Sequence, residues 1–256
     1  MKIASWNINS VRMRQQRLLD WLARAQPDVL CLQELKATDD QFPTLEVAAL
    51  GYTSAVYGQR TYNGVAILSR SPVASVERGL QDAVEDSQAR LIAATIGGVR
   101  VVSIYAPNGQ APGSEAYIYK LEWFRRLRRY LEARWSPSDP VLVCGDFNVA
   151  PEPRDVYDPV GWAESTLFSP PERAALVHLC EFGLVDTFRL HHPEAGAYSW
   201  WDYRRLSFPK GKGLRIDHVL ASQPLAERCT DAGIDREARK GQQPSDHAPV
   251  WATFDL

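Results

Sequence analysis

The sequence predicts an α/β domain in which antiparallel or mixed β-sheets pack face to face and helices cover the outside. Three observations predict it. Short segments rich in Val, Ile and aromatics outnumber segments with helical periodicity. Many are joined by tight turns, such as the hairpin dipeptide Gly97-Gly98. No Gly/Ser tract, charge block or repeat divides the 256 residues, so a single domain, 1–256, is expected.

In chain order, strands are expected at 2–8, 29–32, 52–57, 64–69, 90–96, 99–105, 141–144, 198–203, 214–221 and 249–255. The first helix is expected over 11–25, where Leu18, Leu19 and Leu22 recur at helical spacing and Pro27 closes it. The second, 114–135, puts Ile118, Leu121, Phe124, Leu127 and Leu131 on one face. The third opens at Ser169-Pro170-Pro171-Glu172, a cap with proline in the first turn, and runs to about Phe182.

Composition sets outer bounds. With 45% hydrophobic and 23% charged residues, the chain is an ordinary globular one. Surface scaling gives about 11,000 Å² exposed when folded, enough burial for a large core. A net charge of −2 rules out a globally basic nucleic-acid binder but leaves room for a local basic face. The 4 cysteines form no CxxC and read as free thiols of a reducing compartment. The opening MKIASWNINS lacks an apolar signal core, and no apolar run is long enough to span a bilayer. A cytoplasmic location without membrane association is expected.

Polar residues gather where strands end. Trp6-Asn7 ends the first strand and Gln33-Glu34 the second. Tyr105 ends another, followed by Ala106-Pro107-Asn108-Gly109. Gly145-Asp146-Phe147-Asn148 follows VLVC, Asp217 lies within LRIDHVLAS, and Asp246-His247 precedes the last strand. Strand ends form one rim, where loops carry chemistry on a rigid scaffold. Taken singly, Asp146 and Asn148 are also what an Asx-turn needs. Asp217 inside an apolar strand requires a partner, because a buried carboxylate must be paired or hydrogen-bonded.

The shared chemistry these groups suit is phosphodiester hydrolysis. Carboxylates with Asn suit a hard divalent cation such as Mg²⁺. The absence of paired Cys and of HExxH argues against zinc. No nucleotide-binding glycine loop and no GxSxG elbow occurs. Asp or His can accept a proton from water, while Asn and Tyr can hydrogen-bond developing charge. Residue types alone leave open whether Asp146 or His247 is the acceptor.

The ordered set WN, QELK, NG-VAILSR, YAPNG, GDFN, GLRIDHVLAS and SDHAPV resembles the exonuclease III family of abasic-site endonucleases, within the endonuclease/exonuclease/phosphatase superfamily. The likeness runs from Lys2 to about Phe254. It implies a four-layer α/β sandwich, two packed mixed β-sheets flanked by helices. It also implies a monomeric, Mg²⁺- or Mn²⁺-dependent nuclease acting on double-stranded DNA. Such an enzyme cuts 5′ to abasic sites, removes 3′-blocking groups and digests 3′ ends. By the same resemblance, Glu34 is the principal metal ligand with Asn7 beside it, and Asp246 lies by the metal or a second metal position. Asp146 orients or deprotonates the attacking water, and Asn148 hydrogen-bonds the scissile phosphate. Tyr105 contacts the phosphate or leaving group. His247, oriented by Asp217, contacts phosphate oxygens. Trp200 and Leu214 line the pocket for a flipped-out abasic sugar.

Two segments are locally basic. Lys120, Arg125, Arg126, Arg128, Arg129 and Arg134 fall on an amphipathic helix and read as a solvated outer face. Arg204, Arg205, Lys210, Lys212 and Arg215 flank the expected pocket and read as contacts to the DNA backbone. Arg90, at a strand start, is a further phosphate-contact candidate. Three other readings stay open: a 3′-end-processing exonuclease or phosphatase with little abasic incision, a non-DNA phosphodiesterase of the superfamily, and a non-catalytic binding module.

Overall fold

Alternation along each strand decides which side chains enter the middle of the molecule. The structure, a computed structural model, describes residues 1–256. Its strands are β1 (Lys2–Asn7), β2 (Val29–Gln33), β3 (Thr53–Tyr57), β4 (Val65–Ser69), β5 (Ala74–Arg78), β6 (Leu91–Ile96), β7 (Val99–Tyr105), β8 (Val141–Asp146), β9 (Leu184–Asp186), β10 (Asp217–Ser222), β11 (Cys229–Ile234) and β12 (Val250–Phe254). They form two six-stranded sheets, ordered β11-β12-β1-β2-β4-β3 and β5-β6-β7-β8-β10-β9. Both are mixed: β1 runs parallel to β2, and β7 to β8, and every other pairing is antiparallel.

One face of each sheet meets the other sheet. Ile3, Val29, Ile67, Val101, Leu142 and Val219 interdigitate there in a shared core. The alternate residues face outward against helices: α1 (Gln15–Ala25) and α2 (Thr44–Ala49) on one side, α3 (Glu115–Glu132) and α5 (Pro170–Cys180) on the other. The short helices α4 (Pro159–Trp162), α6 (Thr187–His191) and α7 (Gln223–Ala226) complete the set. The expected four-layer α/β sandwich is therefore the fold. It exposes 10984 Å², and all four cysteines are free thiols. No helix is long and apolar enough to cross a membrane.

Several elements differ from the sequence expectation, each for a physical reason. The first helix starts at Gln15, not at residue 11. Residues 11–13 form a turn, and Arg14, at φ −122° and ψ 21°, leaves helical geometry just before Gln15. Residues 198–203 do not form a strand: Trp200 makes only single bridges, to Leu214 and His247. Strand β10 accordingly begins at Asp217 rather than 214. Strands β5, β9 and β11 carry little apolar alternation, because β5 and β11 are largely solvent-facing edges and β9 has three residues. On α3 the buried stripe runs through Tyr117, Lys120, Phe124, Leu127 and Leu131, while Ile118 is 62% exposed.

Topology brings the polar strand ends to one rim. Asn7 and Tyr105 end β1 and β7, and Asp146 ends β8; Glu34 follows β2. These are the carboxyl ends of the two parallel pairs, where open α/β sheets place their ligand sites. Antiparallel neighbours start at the same rim. Asp217 opens β10 directly opposite Asp146, and His247 precedes β12, whose Val250 pairs with Ser5.

The α3 stripe carries a prediction. Leu127→Ala is expected to cost about 2–5 kcal/mol, the range for a buried leucine. Ile118→Ala is expected to change stability by no more than about 0.5 kcal/mol. Urea denaturation of both variants checks this, and equal losses would return Ile118 to the core face.

Candidate active site

Asp146 stands at the centre of the rim and is 1% exposed. Its strand reaches that position because Gly145 precedes it: a Cβ there would lie 1.9 Å from the carbonyl oxygen of Ile104. The Asp146 carboxylate accepts from the Asn148 backbone N–H at 2.8 Å, from Asn7 Nδ2 at 2.9 Å and from Asn148 Nδ2 at 3.3 Å. Asn148 sits in the left-handed region at φ 52°, which Asn tolerates better than most residues.

Glu34 joins from the other sheet. Asn7 Nδ2 also donates to Glu34 Oε1 at 2.9 Å, while Asn7 Oδ1 accepts from the Asn9 N–H at 3.0 Å. Asn7 thus holds two carboxylates together rather than turning an oxygen toward them. Glu34 has a left-handed backbone, φ 49°, held by its neighbours. The Ser10 N–H donates to its carbonyl, and Leu35 and Lys36 donate to Gly64 and Asn63. Strain of this kind persists where surrounding bonds over-determine it. Lys36 pairs with Glu34 at 2.8 Å.

His247 Nδ1 hydrogen-bonds Asp217 Oδ2 at 2.9 Å, and Asp217 also accepts from Ser199 Oγ at 2.6 Å. The other ring nitrogen, Nε2, lies 3.7 Å from Asp146 Oδ2. The His247 loop is pinned to β1: Trp6 Nε1 donates to its carbonyl, and Ser245 Oγ to that of Asn7. Burial alone would depress the imidazole's pKa. The charges of Asp217, Asp146 and Asp246 outweigh it and raise the pKa to about 10. Burial pushes the Asp146 carboxyl up to about 7, against the pull of His247. Tyr105 is driven well above its ordinary value by burial and by the charges of Glu34 and Asp146, so it stays a phenol. The Arg90 guanidinium stacks over its ring at 4.8 Å. Both residues line a cleft of about 630 Å³ that opens beside Glu34.

The ligand atoms of Glu34, Asp146 and His247 lie within 4.8 Å of one another. Two hard carboxylates, one of them forced up chiefly by burial, are a donor set that a divalent cation with oxygen preference fits. Asp246 is engaged differently. Its carboxylate accepts from Asn9 Nδ2 at 2.8 Å and Trp200 Nε1 at 3.0 Å. Burial opposes ionisation of Asp246, but the His247 charge and these hydrogen bonds hold its pKa below the ordinary range.

Other expected residues are less central. Leu214 is fully buried in a cluster with Val156, Phe168 and Ile216, against which Trp200 and Trp162 pack. It offers no surface to a sugar and supports the Trp200 wall instead. Arg204, Arg205, Lys210 and Lys212 are exposed on the 202–213 loop, with Arg204 tied to Asp202 at 2.8 Å. Arg215 does not belong to that surface. It is buried and paired with Asp155 and Asp186. The basic helix face is likewise neutralised, because each of its cations has a carboxylate partner, with Lys120 and Arg126 buried. Sequence reasoning left Ser199, Asn9, Lys36, Asn108 and Trp162 without roles. Asn9 and Lys36 stand two residues beyond Asn7 and Glu34, a spacing that signalled them.

The Endonuclease/Exonuclease/phosphatase family pattern matches residues 4–247. Exodeoxyribonuclease III of Haemophilus influenzae is 39% identical over 266 residues, covering 99% of this chain and 100% of its own. An AP endonuclease from Archaeoglobus fulgidus superposes with TM-score 0.97 at 40% identity, covering 100% of both chains. NExo, a 3′ phosphatase from Neisseria solved with a product DNA hairpin, superposes with TM-score 0.96 at 42% identity, again over 100% of both. The chain therefore belongs to the endonuclease/exonuclease/phosphatase family, on its exonuclease III branch, and is a phosphodiester-hydrolysing nuclease.

Proposed function

We propose that this chain is a DNA-repair nuclease that incises duplex DNA 5′ to abasic sites, digests 3′ ends and removes 3′-blocking groups, with Mg²⁺ or Mn²⁺ as cofactor. The observation that carries the reading is the convergence of Glu34, Asp146 and His247 within 4.8 Å inside one hydrogen-bonded frame. The likeness to an AP endonuclease and to a DNA-bound 3′ phosphatase over the whole chain supports DNA as the substrate.

In this reading Glu34 is the direct metal ligand, steadied by Asn7, and Asp246 lies in the outer part of the same site. A bound Mg²⁺ supplies Lewis-acid neutralisation of the phosphate charge. Asp146 orients a water and takes its proton as the water oxygen bonds to phosphorus. The P–O bond to the leaving oxygen breaks, and that oxygen collects a proton from solvent. His247, aimed by Asp217, donates Nε2–H to a phosphate oxygen, and Asn148 turns toward the phosphate the amide N–H that it otherwise gives Asp146 at 3.3 Å. Tyr105, kept protonated, hydrogen-bonds the phosphate or the leaving oxygen. Preorganised donors of this kind act where charge develops. Arg90 stands beside Tyr105 as a phosphate contact. Arg204, Arg205, Lys210 and Lys212 track the backbone of the bound duplex. Trp200 forms the wall against which an extruded abasic sugar packs.

One observation favours a second reading, a 3′-end-processing exonuclease and phosphatase with little abasic incision. Leu214 is fully buried in a cluster against which Trp162 and Trp200 pack, so it presents no floor to a sugar.

Glu34→Gln is expected to remove most Mg²⁺-dependent cleavage and leave the melting temperature unchanged. Near-normal cleavage would take the ligand role from Glu34. Asp217→Ala and His247→Ala should each lower the rate by about 10²–10⁴. If they act as one unit, the double variant should lose no more than the worse single one. Multiplying losses would mean that the pair is not functional. A duplex oligonucleotide with one synthetic abasic site, run beside a 3′-phosphate duplex, separates the two readings. Extruding the sugar costs a few kcal/mol, whereas a 3′ end is already free. Trp200→Ala should therefore impair abasic incision much more than 3′-phosphate removal. Equal losses would make Trp200 a structural residue, and a wild type without incision would favour the second reading.

A further inference from the structure

Lys120 lies on the buried face of α3 with no exposed surface. Its ammonium is ion-paired with Glu172, which is equally buried. It also donates to the carbonyl oxygens of Asn148, at 2.7 Å, and Asn108, at 3.1 Å. An ammonium has three N–H donors, and all three are used. The two carbonyls belong to different loops, one after β7 and one after β8. The same two residues meet again on the rim side, where Asn108 Nδ2 donates to Asn148 Oδ1 at 3.2 Å. The first loop rides directly on the lysine stem: at Gly109, with φ +88°, an added Cβ would lie 2.9 Å from Lys120 Cδ.

Glu172 anchors this arrangement from behind. Besides Lys120 it accepts from the Leu167 N–H at 3.1 Å and the Ser169 N–H at 3.1 Å, which closes the capping box of α5. A buried ion pair is a poor source of stability, since well-packed apolar residues often do as well. What a methyl group cannot supply is a pair of fixed donors on two carbonyls at once.

We propose that Lys120 is a positioning residue for catalysis: its ammonium sets the spacing of the 107–109 and 147–149 loops and so holds the Asn148 amide, which donates to the Ala106 carbonyl at 3.0 Å and to Asp146 at 3.3 Å, at the edge of the phosphate site. This rests on the reading of Asn148 as a phosphate-binding group. Lys120 touches no reacting atom, so its effect passes entirely through the loops.

Lys120→Met alone strands the Glu172 carboxylate, and its effect on folding would hide any effect on rate. The decisive variant combines Lys120→Met with Glu172→Gln, which removes both charges and keeps an oxygen for the α5 cap. It is compared with wild type, Asn148→Ala and the triple variant, on whichever DNA substrate the wild type cleaves best. The double variant is expected to fold, with kcat down by about tenfold or more and KM within about threefold. The triple variant should match Asn148→Ala, because a residue that acts only through Asn148 has nothing further to lose. A double variant with kcat within about threefold of wild type, one whose loss multiplies with that of Asn148→Ala, or one that does not fold would each overturn the proposal. An Asn148→Ala enzyme of undiminished rate would remove the underlying reading of Asn148, a result distinct from failure of Lys120 alone.

Discussion

A carboxylate withdrawn from water at the seam between two sheets constrains the rest of this molecule. Asp146 belongs to one sheet, and its neighbours Asn7, Glu34 and His247 lie on or beside strands of the other. Burying that charge costs free energy unless it is hydrogen-bonded and balanced. The Asn7 amide, the Asn148 backbone and the His247 imidazole supply what it needs. The stacking of the sheets, the register of β10 on β8 and the left-handed turns at Glu34 and Asn148 are all tied to this group.

The rim is also held from below. Lys120 binds the carbonyl of Asn148, and His218 Nε2 binds the next carbonyl, Val149, at 2.9 Å. Burial and the adjacent Arg215 charge lower the pKa of His218. Its Nδ1 faces Arg215 at 3.0 Å, and Arg215 is itself locked to Asp155 and Asp186. Charged groups that look like surface in the sequence are thus spent inside, fixing the undersides of the loops that carry Asp146, Asn148 and Asp217. Buried polar networks satisfied in this way rigidify a site.

A second chain of contacts joins Trp200 to Glu34. Trp200 holds Asp246, Asp246 and Lys36 both bind Asn9, and Lys36 pairs with Glu34. Asp246 is therefore positioned by Trp200 and Asn9 as much as by its own loop.

Much of this was legible in the sequence. Strand alternation, turn dipeptides and the cap at Ser169 are local signals, and the sandwich, most of its strands and its long helices follow from them. The polar strand ends were legible too, because a carboxylate such as Asp217 in an apolar run demands a partner. What the sequence by itself determined was therefore the residue types at the rim and the faces of most strands. Only the tertiary structure decided which of them share a hydrogen bond. Asn7 and Asp146 are 139 residues apart and His247 and Asp217 are 30 apart, and sheet register, not local spacing, sets those distances. The same holds for the cations: Lys120, Arg126 and Arg215 read as a basic surface until packing supplies their carboxylates. Leu214, pocket lining by the family resemblance, is instead enclosed in a cluster that Trp162, more than fifty residues before it in the chain, packs against. Propensity and periodicity act over a few residues, whereas desolvation and pairing are settled by groups that meet only when the sheets close.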